Sequence, residues 1–338
     1  MTPLKEYRRK LWSPKQTYIR LPLDEVLLSH IDVRNHTLRL TKTGFLFQTY
    51  LWICRHKCLF TFIIFVCIPV LLYTFLLLLS TTQVLLPKNI QSNSIRRLLL
   101  VVAHPDDECL FFSPTLRAFQ AQHRIELSLL VFSRGNHVGL GNTRARELLG
   151  SCQALSIPIE RCLSLDLPNI QDDPKIWWSQ QELIPIINRY IDLWSIDLLV
   201  SFDRQGVSGH INHRAVGLAV REIITSGNYT KAKIAYELQS VTLLRKYSSI
   251  IDVYFVFISF VPRILRALLS SIIPFNLISP PNSSRVLLLS TPHDYMTSRT
   301  AFASHVSQYN WDRHIYLIAS RYMFINELNS IEKKIIGQ

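Results

Sequence analysis

The strongest feature of the hydrophobic pattern is a long uncharged run near the N-terminal end of the chain. From Leu59 to Leu79 the sequence reads LFTFIIFVCIPVLLYTFLLLL, about 21 residues, which is enough to span a bilayer as a helix. The run stays uncharged as far as Pro87, and Pro69 is predicted to kink the helix without breaking the span. A cleaved signal peptide would start closer to the N-terminus. The pattern therefore predicts a transmembrane anchor over residues 59–86.

From about Arg96 the pattern changes to short apolar runs that alternate with segments of helical spacing. This alternation predicts an α/β fold in which a mostly parallel sheet carries helices on both faces. Ligands bind such sheets at the carboxyl ends of the strands. The predicted strands are Leu98–Ala103, Ile125–Phe132, Ile196–Phe202 and Val286–Leu289, and the predicted helices are Pro114–Arg124, Thr143–Leu155, His213–Thr225 and Arg299–Gln308.

These patterns divide the chain into a basic arm over 1–58, the anchor over 59–86, a folded domain over 96–328 and a tail over 329–338. The arm holds eleven basic and four acidic residues, which is more than half of the chain's net charge of +13. A basic segment beside a membrane suits anionic lipid headgroups, and the sequence carries no nucleic-acid signature. We expect little stable structure in the arm, apart from interfacial contact through Val26–Leu28.

A second apolar stretch, Val253–Pro262, is too short to span a bilayer. Arg263 and Arg266 follow it, and then the apolar segment Leu268–Phe275. The alternation fits a segment that lies at a membrane surface. A buried helix and strand with exposed arginines fits it equally well.

The six cysteines include no CxxC pair, so the sequence predicts no cysteine zinc cluster. We also expect no disulfide framework, because a domain of this size can build a core without one. Palmitoylation of Cys54 or Cys58, beside the anchor, is an alternative to ordinary reduced thiols.

The first candidate site is the string His104-Pro105-Asp106-Asp107-Glu108, directly after the first predicted strand. Carboxylates crowded at a strand end need a metal ion or an opposite charge to offset their burial. A turn at Pro105 would let His104 and Asp107 face one ion and leave Asp106 to act on a bound water. The alternative is a turn whose aspartates only cap a helix.

The second candidate site is the string Gly206-Val207-Ser208-Gly209-His210-Ile211-Asn212-His213, which follows another predicted strand. His210 and His213 share one face if His210 opens a helix. A lone histidine pair is more often structural. Beside the first site, however, two histidines and a carboxylate match the ligands of a catalytic zinc hydrolase, in which zinc lowers the pKa of water toward neutrality.

Together these two strings resemble those of the PIG-L/LmbE-like zinc deacetylases, and most closely the eukaryotic branch that acts on N-acetylglucosaminylphosphatidylinositol. The resemblance covers about residues 96–328. Five further stretches are similar: Ser133–Asn136, Phe202–Asp203, Leu238–Val241, Arg245–Tyr247 and Ser320–Met323.

The resemblance implies a Rossmann-like fold and a zinc ion bound by His104, Asp107 and His213. It also implies that Asp106 is the general base and that His210 stabilises the oxyanion or protonates the leaving amine. Some bacterial relatives carry Asp where this chain has Asn212, which argues against a base at that position.

Other site residues are weaker candidates for substrate binding: Arg144, Asp203 and His305, the last with Gln308 beside it. Arg144 suits a phosphate or inositol, and its alternative is a surface charge paired with Glu147. His305 and Gln308 are equally well explained as a plain helix face.

The resemblance also implies the second step of glycosylphosphatidylinositol (GPI) anchor biosynthesis, at the endoplasmic reticulum membrane with a cytosolic catalytic domain. The charge of the arm favours the opposite orientation, while the near flanks of the anchor are balanced. Two other functions are possible: zinc deacetylation of a different N-acetylglucosaminyl conjugate, and a catalytically silent membrane scaffold. The intact set of His104, Asp106, Asp107, His210 and His213 argues against the scaffold.

Overall fold

The computed structural model describes residues 42–82, 84–87, 90, 95–123, 125–226, 232, 234–269 and 284–332. The chain divides into two compact units, residues 1–61 and 62–338. In the first unit, Lys42–Arg55 forms helix α1, where the sequence predicted little stable structure. Trp52 packs against Phe60 across the end of this helix. The predicted interfacial contact of Val26–Leu28 lies outside the described residues.

One helix in the described part of the chain is long and apolar enough to cross a membrane: Lys57–Ser80, of 24 residues. It consists of α2 (Lys57–Phe62), a π-helical turn (Ile63–Cys67) and α3 (Ile68–Ser80). Proline has no backbone N–H, and the π-helical turn ends just before Pro69, so the helix continues past it.

The second unit is built on a seven-stranded sheet, counted over the described residues, in the order β3-β2-β1-β4-β5-β7-β6. Strands β1 to β5 are parallel, and β7 runs antiparallel to both β5 and β6. The predicted mostly parallel sheet is therefore confirmed. The strands are β1 Arg97–Val102, β2 Glu126–Val131, β3 Cys162–Ser164, β4 Leu198–Phe202, β5 Ile234–Leu238, β6 Arg285–Leu289 and β7 Ile325–Ser330.

Two apolar cores cover the two faces of the sheet, as predicted. Along β1, Leu98, Leu100 and Val102 join one core while Leu99 and Val101 join the other, because alternate side chains of a strand point to opposite faces. The remaining helices are α4 Asp107–Leu110, α5 Ser113–His123, α6 Gly141–Ala154, α7 Gln180–Trp194, α8 Gly206–Gly209, α9 Ile211–Ser226, α10 Leu243–Lys246, α11 Val253–Leu269, α12 Pro292–Ala303 and α13 Trp311–Ala319.

The apolar and basic stretch after residue 253 forms the single helix α11, and residues 270–275 lie outside the described residues. One side of α11, with Val256 and Phe260, packs on α3 in a third apolar cluster. Phe255 and Ile258 on the other side are exposed. Arg263 donates to the carbonyl of Arg285. The helix thus combines a buried face with an exposed apolar face.

The sequence predicted no disulfide framework, and the structure contains one disulfide among the described residues, between Cys152 of α6 and Cys162 of β3. The two cysteines are only ten residues apart in the sequence, and α6 packs beside β3 so that their Cα atoms lie 6.4 Å apart. Cys54, Cys58, Cys67 and Cys109 are free thiols.

Candidate active site

The two candidate strings meet because the strands that precede them are neighbours. Strand β1 pairs with β4 through Leu98–Leu100 and Leu198–Val200, while β2 lies on the other side of β1. The chain therefore leaves β1 and β4 toward opposite halves of the sheet. Such a switch point opens a crevice at the carboxyl ends of the strands, and the side chains of both strings project into it.

The buried side chains of His104, Asp107 and His213 bring their metal-binding atoms together in this crevice and form the donor set of the site. The Nε2 atom of His213 lies 3.2 Å from Oδ1 of Asp107 and 3.3 Å from Nδ1 of His104. The His104 Nδ1 atom is 3.8 Å from Oδ2 of Asp107. The same Oδ2 accepts hydrogen bonds from the backbone N–H groups of Ala103 and His104, which fix the carboxylate.

The outer nitrogens of the two histidines have partners that set their tautomers. Nε2 of His104 lies 3.1 Å from Oδ1 of Asp172, and Nδ1 of His213 lies 3.1 Å from the carbonyl oxygen of Gly206. With a proton on Nε2 of His104 and on Nδ1 of His213, the other two ring nitrogens, Nδ1 of His104 and Nε2 of His213, present lone pairs to each other and to Asp107. Lone pairs this close repel unless a cation lies among them.

This donor set fits a divalent metal ion. Two imidazoles and a carboxylate, with the imidazole N–H groups held by a carboxylate and a carbonyl, are the ligands and supports of a catalytic zinc site. The electrostatics favour positive charge here. Although burial opposes protonation, Asp172 and Asp107 raise the pKa of His104 above its ordinary value. Burial likewise opposes ionisation of Asp107, yet His213 and His104 hold its pKa well below the usual range.

Asp106 lies beside this donor set in a strained backbone conformation. Its φ of 108° is rare for a residue other than glycine, and the hydrogen bond from its N–H to Oε2 of Glu108 supports it. Its carboxylate is buried, with Oδ2 3.4 Å from Nη2 of Arg144. Burial raises the pKa of Asp106, and Arg144 opposes this shift without cancelling it. A carboxylate poised in this way suits a general base.

His210 stands at the open side of the site. Its ring centroid is 4.9 Å from those of both His104 and His213, and its Nδ1 accepts a hydrogen bond of 3.3 Å from the backbone N–H of Asn212. This contact places the ring proton of the neutral imidazole on Nε2. Burial and then the charges of His104 and His213 lower the pKa of His210 to about 4, which favours the neutral form. His104, His210 and His213 also offer nitrogens within 4.8 Å of one another, so His210 is an alternative third ligand to Asp107.

Asp203 organises the loop that presents the histidines. Its Oδ1 accepts from the N–H of Gly206 (2.9 Å) and the hydroxyl of Ser240 (2.6 Å), and its Oδ2 accepts from the N–H of Ser240 (2.7 Å). The Ser240 hydroxyl in turn accepts from the N–H of Val207, a β-branched residue at φ 62°. These contacts occupy the Asp203 carboxylate, so Asp203 supports the loop. Its hydrogen bonds do not involve His104, Asp107 or His213.

Arg144 braces the first string from behind. Its guanidinium donates to the carbonyl oxygens of Pro105 and Gly135 and faces Asp106 and Asp172. A Cβ atom at Gly135, whose φ is 67°, would overlap this guanidinium, so the glycine lets Arg144 reach the site. The alternative partner of Arg144, Glu147, binds Ser307 instead.

His305 does not line the crevice. It is fully buried, with Nε2 2.8 Å from Oε1 of Glu108, which also accepts from the hydroxyl of Ser151. Burial opposes this ion pair, yet each partner shifts the other: Glu108 raises the pKa of His305, and His305 lowers the pKa of Glu108. Glu108 also accepts from the Asp106 N–H, so this carboxylate links His305 to the site. Gln308 donates to Ser307 at the neighbouring turn.

Sequence reasoning missed Asp172, the partner of His104. Asp172 lies in the connection between β3 and α7, a segment that the strand pattern left unassigned. One signal marks Asp172 in the sequence: the string Gln171-Asp172-Asp173-Pro174 places two adjacent acidic residues in a segment that has no apolar pattern. Asn212 was noted but not placed: it is fully buried, and its amide lies 3.2 Å from Nε2 of His104. Its Oδ1 has no partner among the described residues, and exchanging the two amide atoms lets this oxygen accept the Nε2–H.

Residues 99–224 match the PIG-L family, described as GlcNAc-PI de-N-acetylase. N-acetylglucosaminyl-phosphatidylinositol de-N-acetylase from Bos taurus is 36% identical over 233 residues, which are 69% of this chain and 83% of the relative. The protein with the same name from Saccharomyces cerevisiae is 33% identical over 243 residues, 68% of this chain and 80% of the relative. A Dictyostelium discoideum protein, described as probable for that activity, is 30% identical and covered over 94% of its length.

Among solved structures, N,N'-diacetylchitobiose deacetylase from Pyrococcus horikoshii superposes with a TM-score of 0.46 at 12% identity, covering 70% of this chain and 84% of that one. A deacetylase of the teicoplanin biosynthetic pathway superposes with a TM-score of 0.45 at 12% identity, covering 71% and 99%.

Proposed function

The chain belongs to the PIG-L family of N-acetylglucosaminyl-phosphatidylinositol de-N-acetylases, and from this premise we propose that it hydrolyses the N-acetyl group of N-acetylglucosaminylphosphatidylinositol. The products are glucosaminylphosphatidylinositol and acetate, which makes the reaction the second step of GPI-anchor biosynthesis. One observation carries the proposal: the donor atoms of His104, Asp107 and His213 converge beside the buried carboxylate of Asp106. We propose zinc as the metal and these three residues as its ligands.

Zinc held there supplies Lewis acidity toward the attacking water and the acetyl carbonyl. In the proposed mechanism, Asp106 takes a proton from the water while the water oxygen attacks the carbonyl carbon. The Nε2–H of His210 donates a hydrogen bond to the carbonyl oxygen as charge develops on it. When the C–N bond breaks, the proton held by Asp106 passes to the amine nitrogen, and the acetyl group leaves as acetate. Arg144 holds Asp106 in place through the contacts described above.

The exposed apolar surface of the second unit supports a lipid substrate and a membrane location. Helix α11 exposes Phe255 and Ile258 while its other face packs on α3, the C-terminal part of the apolar helix. The Tyr254 hydroxyl donates to the carbonyl of Ile64 within the same helix pair. We propose that Lys57–Ser80 anchors the chain in the bilayer, with the exposed side of α11 at its surface and the two acyl chains of the substrate left in the lipid.

The test is acetate release from N-acetylglucosaminylphosphatidylinositol by the full-length protein in detergent. We expect turnover that a chelator abolishes and that added zinc restores, because the proposed mechanism depends on the Lewis acidity of the metal. A matched arm offers an N-acetylglucosaminyl conjugate without the phosphatidylinositol. Faster turnover of that conjugate would favour the alternative deacetylase, and no acetate from either substrate with zinc-loaded, folded protein would favour the scaffold.

We propose the endoplasmic reticulum membrane as the location, with the catalytic domain on the cytosolic side. The resemblance described under the sequence analysis implies this orientation. Two features oppose it: the basic arm and the disulfide between Cys152 and Cys162, since disulfides persist mainly in oxidising compartments.

Glycosylation decides the orientation, because the three sequons at Asn35, Asn228 and Asn282 lie on both sides of the anchor. For a cytosolic domain we expect no glycan at Asn228 or Asn282, while Asn35 is free to carry one. The measurement is the mobility shift of the full-length protein on glycosidase treatment, with single Asn→Gln variants to assign each site. A glycan at Asn228 or Asn282 would place the domain in the lumen.

A further inference from the structure

Lys246, at the end of α10, is a buried cation without an acidic partner. The residue is only 7% exposed, and among the described residues no carboxylate forms an ion pair with its Nζ. Its surroundings are aromatic: Nζ lies 5.8 Å from the ring centre of Phe111, 5.5 Å from that of Tyr247 and 6.0 Å from that of Tyr316. Aromatic faces attract a cation, but they do not neutralise it.

Three arginines of this region, which are buried or partly buried, are paired with carboxylates. Arg245 binds Asp252 at 2.7 Å, Arg321 binds Asp252 and Glu327 at 3.0 Å each, and Arg144 faces Asp106. A buried charge without a counterion is costly. Burial lowers the pKa of Lys246, and the nearby positive charge of Arg313 lowers it further. An anion beside Lys246 would offset this cost.

The Lys246 ammonium group lies near the candidate active site. The ring of Phe111 lies 5.8 Å from that of His213, so one aromatic side chain separates Lys246 from the donor set. Arg313 lies on α13, the helix whose Tyr316 ring is 6.0 Å from Nζ of Lys246. Its guanidinium is one-third exposed, and its nearest described carboxylate, that of Asp312, is 3.9 Å away.

Lys246 also lies beside an exposed apolar surface. Leu243 and Leu244, on the same short helix as Lys246, are 72% and 81% exposed, and Ile315 and Ile318 of α13 are exposed near Arg313. The Ser249 hydroxyl donates to the carbonyl of Ile318 and ties the two segments together. An anion bound at Lys246 would therefore lie between the hydrolytic site and a surface suited to lipid.

We propose that Lys246, aided by Arg313 of α13, binds the phosphodiester of the lipid-linked substrate and thereby positions the N-acetyl group at the donor set. The inference rests on the proposed function and names its phosphate subsite. A phosphodiester carries one negative charge, which an ammonium group binds as a point charge. Arg144, which the sequence suggested for the phosphate, is already engaged by Asp106, Asp172 and two carbonyl oxygens.

The test compares two substrates that differ only in the phosphate: N-acetylglucosaminylinositol joined to one alkyl chain through a phosphodiester, and the same sugar joined to it through an ether. For Lys246→Met we expect kcat/KM to fall about ten- to hundredfold on the phosphodiester, mostly through KM, since a charged hydrogen bond is lost. Activity on the ether stays within about twofold. Lys246→Arg restores most of the loss, and Arg313→Met gives a smaller loss with the same selectivity.

The matched control is Arg189→Met, which removes a cation from the exposed side of α7 and leaves both activities unchanged. Thermal unfolding shows whether each variant is folded. Binding to phosphatidylcholine vesicles with and without phosphatidylserine separates the substrate phosphate from a bilayer headgroup. Equal losses on both substrates, or a loss confined to binding of the anionic vesicles, would overturn the subsite. A wild-type protein inactive on both substrates would overturn the proposed function, and the subsite with it.

Discussion

Replacing Asp106 by Asn is expected to lower the rate of acetate release from N-acetylglucosaminylphosphatidylinositol by about 10²- to 10⁴-fold, the usual contribution of a general base. The amide keeps the shape of the carboxylate and can still accept from Arg144, but it cannot take a proton from water at neutral pH. Because Asp106 points to Arg144 and not into the donor set, the variant is expected to keep its metal. Single-turnover acetate release and metal content per chain measure the two expectations separately.

The matched control is Asp166→Asn, which changes an exposed aspartate paired with Arg134. It is expected to keep both activity and metal. An Asp106 variant that retained more than about a tenth of wild-type activity would remove Asp106 from the role of general base. An Asp106 variant that lost its metal would instead make this residue a ligand.

The position of the site was predictable because it depends on local strings and on one rule of sheet geometry. The short apolar runs that became β1 and β4 were readable as buried strands, and polar strings followed each of them directly. The carboxyl ends of neighbouring parallel strands meet, so His104 and His213 are close although more than a hundred residues separate them.

Residues that reach the site by long connections were not predictable in this way. Asp172 follows β3, a strand of only three residues that leaves no periodic pattern to read. Glu108 and His305 form a pair across 197 residues, and nothing in the two local strings distinguishes that pairing from two unrelated polar residues. Such contacts are set by the packing of α12 and its following turn against the first string, which appears only in three dimensions.

The last predicted helix shows how a capping signal can override periodicity. The spacing suggested a helix over Arg299–Gln308, whereas α12 runs from Pro292 to Ala303. Thr291 and Asp294 form a capping box around Pro292, which fixes the start of the helix seven residues earlier. The chain then turns at Ser304, so that His305 enters the core beside Glu108 and not on a helix face.

The choice between Asp107 and His210 as third metal ligand leads to the second large effect: Asp107→Asn is expected to lose both the metal and the activity. Oδ1 of Asp107 faces Nε2 of His213, while Oδ2 is held by two backbone N–H groups. An Asn that keeps the backbone contacts through its oxygen must direct its NH₂ group into the donor set. An N–H group cannot ligate a metal, so the site keeps two ligands of three.

His210→Gln is the matched partner of this experiment and is expected to keep the metal. Nδ1 of His210 accepts from the Asn212 backbone, and its Nε2–H is assigned to the carbonyl oxygen of the substrate. Its loss should cost about 10²- to 10³-fold in turnover, the value of one oxyanion donor. Metal content per chain after dialysis, with thermal unfolding to show that both variants are folded, distinguishes the two residues. Metal retained in Asp107→Asn and lost in His210→Gln would mean that His104, His210 and His213 hold the ion, and loss in both would make His210 a fourth ligand.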